Sequence, residues 1–192
     1  MILTPTTELE AVNLMLSVIG EAPVATLDST DLLDVTIAQT VLRETSRAVQ
    51  SEGWHFNTEI NYELPLTSEG KIVVAPNVLQ IDTTTEYKVY DVVQRGGFLY
   101  NRAKRTSVFD KPIKVDMTLF LDYSELPESA RHYIAVKASR VFQDRVMGAD
   151  ALHVYTKDDE QLAYVHLKRA EGETGDYNMF DDSQSVSEVW HR

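Results

Sequence analysis

Cysteine is missing from all 192 residues, which removes disulfides, thiolate metal sites and cysteine nucleophiles and leaves oxygen, imidazole and amine groups to carry any chemistry. No apolar run reaches the roughly 18 residues of a membrane-crossing helix, so no membrane partner is expected. The opening MILTPTTELE has neither a basic leader nor a long apolar core, and export by a cleaved signal is not expected. Bases are scarce beside acids, 18 Lys and Arg against 30 Asp and Glu, for a formal net charge of -12. That sign disfavours ordinary nucleic-acid binding, in which cations neutralise phosphates. With 43% hydrophobic and 25% charged residues, the chain nevertheless has the composition of a globular protein able to bury a core.

Signatures of known chemistry are also lacking. There is no glycine-rich phosphate loop, no HExxH, no GxSxG and no EF-hand spacing around Asp158-Asp159-Glu160. His55, His132, His153, His166 and His191 are scattered without metal-ligand spacing and suit surface or capping positions. No catalytic residue, metal site or cofactor is predicted. One enzymatic alternative leaves no motif: two carboxylates about 5 to 9 Å apart suffice for glycan hydrolysis, provided one has a raised pKa.

What is present reads as an α+β chain. Thr7 and Glu10 form a capping-box pattern at the start of a helix carrying Leu9, Val12, Leu16 and Ile19, with Gly20 at its end and Pro23 forcing a sharp exit. A second helix is predicted from about Asp31 to Ser51, with Leu33, Ile37, Val41 and Ala48 near one face and Gly53 beyond it. Trp54, Phe56, Thr58, Ile60, Tyr62 and Leu64 then alternate as a half-buried strand with two core aromatics. A turn at Thr67-Ser68-Glu69-Gly70 leads into a strand over Lys71 to Ala75, closed by Pro76, while Asn77 to Glu86 gives no clear pattern.

Tyr87 to Gln94, the turn Arg95-Gly96-Gly97, and Phe98 to Arg102 form the best hairpin signal. Ile113, Val115, Met117, Leu119 and Leu121 alternate as a further strand. The passage Asp122 to Gly148 predicts a helix with Pro127 in its first turn and Gly148 as its stop. Its apolar stripe is Ala130, Ile134, Ala138, Val141 and Val146, and its basic side is Arg131, Lys137, Arg140 and Arg145. A fourth helix is predicted from Asp150 to about Ala170 with Tyr155, Leu162 and Val165 inward, and an extended or mobile tail after it. Met15, Met117 and Met147 are read as packing residues.

The resulting division is 1–53 and 123–173 as two halves of an antiparallel helical bundle, 54–122 as a central, mainly antiparallel β domain, and 174–192 as a tail. Charge is uneven along it. From Arg95 to Lys114, six bases face only Asp110, whereas from Asp150 to Arg192 ten acids oppose four bases.

Five words in order, LEAVNLMLSVIGEAPV (Leu9 to Val24), QSEGWHFN (Gln50 to Asn57), RGGFLYNR (Arg95 to Arg102), Asp122 to Gly148, and GDYNMFD (Gly175 to Asp181), resemble the tail tubular protein A family of short-tailed phages, the head-to-tail adaptor or gatekeeper. No distinctive word is matched from Leu64 to Gln94. The resemblance implies a helical bundle carrying a β domain, assembled as a dodecameric ring in the virion tail after synthesis in the host cytoplasm. It also implies the portal protein, the tail nozzle protein (tail tubular protein B) and the tail fibre as partners, with duplex DNA passing through unbound in sequence-specific fashion. An acidic annulus would repel DNA and let it slide.

Within that reading, Arg95, Gly96, Gly97, Phe98, Arg102, Lys104 and Arg105 are candidates for the nozzle or fibre interface. Asp176, Tyr177, Asn178, Met179 and Phe180 are candidates for the portal, by folding onto it at assembly or else capping the bundle. Arg131, Lys137, Arg140, Arg145, Asp158 and Asp159 are candidates for inter-subunit or lumen contacts, a solvated face being the plainer alternative. A monomeric acidic module that mimics DNA is the third class; it would share the charge but not the ordered words.

Overall fold

The computed structural model describes residues 5–28, 32–148 and 150–175, without the side chains of 150–156. Helices α1 (Glu8–Val18), α2 (Leu33–Gln50), α3 (Glu128–Val146) and α4 (Asp150–Thr174) flank strands β1 (Thr58–Leu64), β2 (Val78–Thr83), β3 (Val92–Arg95), β4 (Phe98–Asn101) and β5 (Ile113–Leu119). The architecture is α+β. Helix α3 is the hub of the helical layer, packed against α1, α2 and α4. Strand β5 is the centre of a three-stranded antiparallel sheet of order β1-β5-β2, and β3 and β4 make a separate hairpin.

Local chemistry sets the helix ends. The Thr7 hydroxyl accepts from the Glu10 amide (3.2 Å) while the Glu10 carboxylate accepts from the Thr7 amide (2.7 Å), so each satisfies the other's free donor. That hydrogen bonding to Thr7 holds the Glu10 carboxyl below its usual pKa. At the other end Gly20 has φ +82, and the amides of Gly20 and Glu21 donate to Ser17 and Leu16 carbonyls (3.1 and 3.0 Å), which is a Schellman stop. The chain leaves sharply there. Asn13 ties the exit down through both of its side-chain groups, to the Val24 carbonyl and amide.

Two cores result. The helical core holds Met15, Leu16, Val41, Leu42, Tyr133, Ile134, Phe142 and Leu167, together with Trp54 and Leu126. The β core holds Ile72, Val74, Tyr90, Leu99, Phe109, Ile113, Val115 and Met117. Trp54 and Phe56, stacked at 6.4 Å between centroids, belong to the helical side. They therefore precede the sheet and do not start it: a 3-10 turn spans His55–Asn57, and β1 begins at Thr58.

Several predicted faces are corrected. In β1 the alternation fails because Asn61 adopts φ +58 at a register shift between Glu59 and Tyr62. An extra residue breaks the pleat, leaving Ile60 and Tyr62 exposed and Leu64 buried. In α2, Leu33 and Ala48 point outward, and the buried row is Val35, Ala38, Val41, Leu42 and Val49. The α3 stripe continues from Ala138 to Phe142, its i+4 neighbour, and not to Val146, which is exposed like Met147. Pro127 is the N-cap of α3 and not part of its first turn.

On α4, Ala163 and Leu167 are buried, whereas Leu162 and Val165 face out; the side chain of Tyr155 lies outside the described residues. Lys71 to Ala75 forms only isolated bridges, through Lys71, Ile72 and Val73, and the patternless stretch contains β2. The tail beyond Gly175 lies outside the described residues.

The hairpin forms where its signal lies, but its first strand is shorter than predicted: Thr85–Tyr87 is a 3-10 turn, β3 begins only at Val92, and Arg95 belongs to the strand and not to the turn. Arg95 pairs with Phe98, so Gly96 (φ +61) and Gly97 (φ +80) alone make the turn, both left-handed as the right-handed strand twist requires. A Cβ on Gly97 would meet nothing within 4 Å, so Gly97→Ala isolates the backbone term. It is expected to destabilise the hairpin by about 1 kcal/mol, read as faster amide exchange at Leu99, whose N–H donates to Ile72, with the α3 amides unchanged.

Candidate interaction surface

The candidate surface grows from the Gly96-Gly97 turn and the loop that follows β4. Asn101, almost fully buried, accepts through Oδ1 from the Lys104 amide (3.0 Å), and its backbone exchanges bonds with Thr106 (2.8 and 3.2 Å). The loop thus closes beneath, and Arg102, Lys104 and Arg105 are left exposed. Arg105 itself takes φ +54, a left-handed conformation uncommon outside glycine. Sequence reading marked the bases but missed Asn101, whose signal is the turn-forming amide just after a strand.

Cations and rings alternate across this side. Arg95 lies 4.0 Å over Tyr100, Lys71 5.5 Å over Phe98, Lys104 5.7 Å over Tyr90 and Lys111 4.9 Å over Tyr87. Each cation is held by a ring face instead of sweeping freely through solvent. Asp110 accepts from the Tyr90 hydroxyl at 3.2 Å, and hydrogen bonds from its own backbone and Tyr90, then Lys104 and Lys111, hold its carboxyl low. Burial and Asp110 push the Tyr90 phenol up. Arg102 reaches Asp91 at 3.6 Å. The seven predicted residues here share one hairpin and its loop.

The bases of α3 are placed differently from one another. The Arg131 guanidinium donates to the carbonyls of Leu126 (2.7 Å), Thr6 (3.2 Å) and Ser124, joining the chain start to the entry of α3. Lys137 donates to the Tyr133 hydroxyl at 3.2 Å. Arg140 is sandwiched between Glu160 of α4 and Asp144, and Arg145 meets Glu44 of α2 at 2.9 Å. Three of these four therefore fasten elements within one chain; the α4 partner of Arg140 is Glu160, and Asp158 and Asp159 are exposed on α4. Asp176 to Phe180 lie outside the described residues.

Glu10, Glu69 and Asp110 are all held below the ordinary carboxylate range, opposite to a general acid. Among the described residues no cluster of three metal-ligating side chains occurs, and no helix is long and apolar enough to cross a membrane.

The family model for tail tubular proteins matches residues 9–177. The chain belongs to the tail tubular protein family. It is similar to tail tubular protein A of Klebsiella phage KP34, 32% identical over 162 residues that cover 84% of this chain and 85% of the relative. A member of this family is a structural component of a phage tail. The match spans α1 through α4 and the whole β part, so both cores belong to it. The word QSEGWHFN holds the joint between the two cores, where Gln50 and Asn57 donate to the Leu121 and Leu119 carbonyls and Trp54 donates to Val49.

Charge divides along the same line. Residues 54–122 hold eight of the 18 bases and nine of the 30 acids, a net of -1, so the remaining residues carry -11 of the total -12. In this family member the helical layer and tail are acidic, and the β part is near neutral, with four of its eight cations, Arg95, Arg102, Lys104 and Arg105, on one hairpin and the loop after it.

Proposed function

We propose that this chain is a head-to-tail adaptor: copies form a ring between the portal protein and the tail nozzle, conduct genomic DNA and support tail-fibre attachment. The observation that carries the reading is the charge division just described, in a member of the tail tubular protein family. A ring multiplies each lumen-facing carboxylate into an annulus, and an acidic wall repels duplex DNA, which bears a charge about every 1.7 Å. The basic, ring-braced hairpin offers the opposite sign to the nozzle or fibre. Arg95 and Lys104 are already ordered on aromatic faces and Arg102 reaches Asp91, which lowers the entropy lost on docking.

The direct test is electron microscopy of the purified protein with and without the portal protein of the same phage. A ring seated on the portal is the expected result; absence of binding to an intact portal would overturn the reading. Reversing Arg102, Lys104 and Arg105 to Glu is expected to block nozzle addition while portal binding persists. All three are exposed, so the variant should fold, and normal tails assembled from it would remove the hairpin from the interface.

A further inference from the structure

The apolar residues Leu162 and Val165 stand on α4 with 59% and 60% of their surface exposed, although their spacing is that of an inward face. Helix α4 buries Ala163 and Leu167 against α3, and one side of its apolar surface is left without a partner among the described residues. That side borders a groove of about 380 Å³ floored by Val136 of α3 and walled by Leu14 and Val18 of α1 and Leu162 and Ala163 of α4. Leu14 is itself 41% exposed. A groove with leucines on both rims is the shape that receives the apolar face of a short helix.

The chain carries such a segment beyond Gly175. Val186, Val189 and Trp190 recur at i, i+3 and i+4, and Ser185 with Glu188 repeats the capping-box spacing just ahead of Val189 and Trp190. Reach is sufficient. Leu162 lies 13 residues back from Gly175 along α4, about 20 Å at helical rise, and the ten residues 176–185 span up to about 33 Å when extended. The groove runs along α4 from Asp159 to His166, about two helical turns, which suits a segment of six residues.

We propose that residues 185–190 of this chain occupy the groove between α1, α3 and α4 of the same copy, with Val186, Val189 and Trp190 against Leu14, Val136 and Leu162. Docking there would tether the loop 176–184 at both ends beside the end of α4. The inference concerns the groove alone and holds whether or not Asp176 to Phe180 meets a portal.

The native chain has no cysteine, so disulfide trapping in the full-length protein reads one pair at a time. Leu162→Cys with Val189→Cys is compared with Lys157→Cys and Val189→Cys; Lys157 lies on α4 beside Tyr133 and Tyr164, away from the groove. Docking should make the first pair close within the monomer at least about tenfold faster than the control, since it raises the effective concentration above that of a freely sampled tether. Adding Trp190→Ala to the first pair should return its rate to the control's. Equal rates for the two pairs would overturn the proposal. A covalent dimer as the main product of the first pair would overturn it too, assigning the groove to a neighbouring copy.

Discussion

Asn57→Ala is expected to destabilise the protein by about 3 kcal/mol, since it leaves a buried donor unpaired and strips two carbonyls of a bond. Asn57 is 2% exposed. Its Nδ2 donates to the carbonyls of Gln50 and Leu119, both at 2.8 Å, and its Oδ1 accepts from the Trp54 amide at 2.8 Å. Gln50, fully buried, continues the network: its amide donates to Ser46 and to the Leu121 carbonyl, and Leu121 donates back to it at 2.8 Å. The Trp54 indole donates to Val49 at 2.7 Å. These bonds join the end of α2 to both ends of the β part, at the edge of the sheet, where buried backbone groups beyond the ladder still require partners.

Asn57→Asp separates hydrogen bonding from packing. It preserves shape and the acceptor for Trp54 but turns the two-donor amide toward carbonyls into an acceptor carrying charge. It should therefore be at least as damaging as alanine. Urea unfolding followed by far-UV circular dichroism and tryptophan emission reads both, because Trp54 sits in the network. An Asn57→Asp variant within about 0.5 kcal/mol of wild type, the range of ordinary surface changes, would show that volume and not bonding holds the joint.

Phe142→Ala should cost about 4 kcal/mol, the sum of lost transfer energy and an unfilled cavity. Phe142 has no exposed surface and lies on α3, the helix on which all the others pack, so neighbouring elements cannot easily collapse into the space. For a chain of this length that loss lowers Tm by roughly 8 to 16 °C. Phe142→Leu, which keeps much of the volume, should cost about 1.5 kcal/mol. Val146→Ala, one turn further at a 43% exposed site, should stay within about 0.5 kcal/mol. Scanning calorimetry of the three variants decides the register of the helix face: comparable losses at 142 and 146 would contradict it.

The pair also shows how far sequence reading goes. Ala130, Ile134 and Ala138 fix the period of α3, and extending it by four residues reaches Phe142; the stripe through Val146 drifts off the face. In α2 and α4 the fault is of the same kind. Both helices were located to within a few residues, but apolar side chains occur on more than one side of each, and periodicity cannot say which side finds a partner. Leu33, Leu162 and Val165 are exposed because, among the described residues, the packing of each helix uses another of its sides.

By itself the sequence determined what depends on neighbours along the chain. The Thr7–Glu10 cap, the Gly20 stop and the Gly96-Gly97 turn follow from backbone angles and hydrogen bonds spanning a few residues. The alternation of β5 follows from a pleat of period two with the core side filled by Ile113, Val115 and Met117. The five ordered words carried the family, which the family match bears out. Tertiary structure alone decided the matters that depend on distance in space: the drawing of Trp54 and Phe56 to the helical core, the placing of Arg140 between Glu160 and Asp144, and the burial of Gln50 and Asn57. A polar side chain is buried only where several backbone groups from remote segments converge to satisfy it, and that convergence, here residues 50, 57, 119 and 121, exists only after the chain has folded.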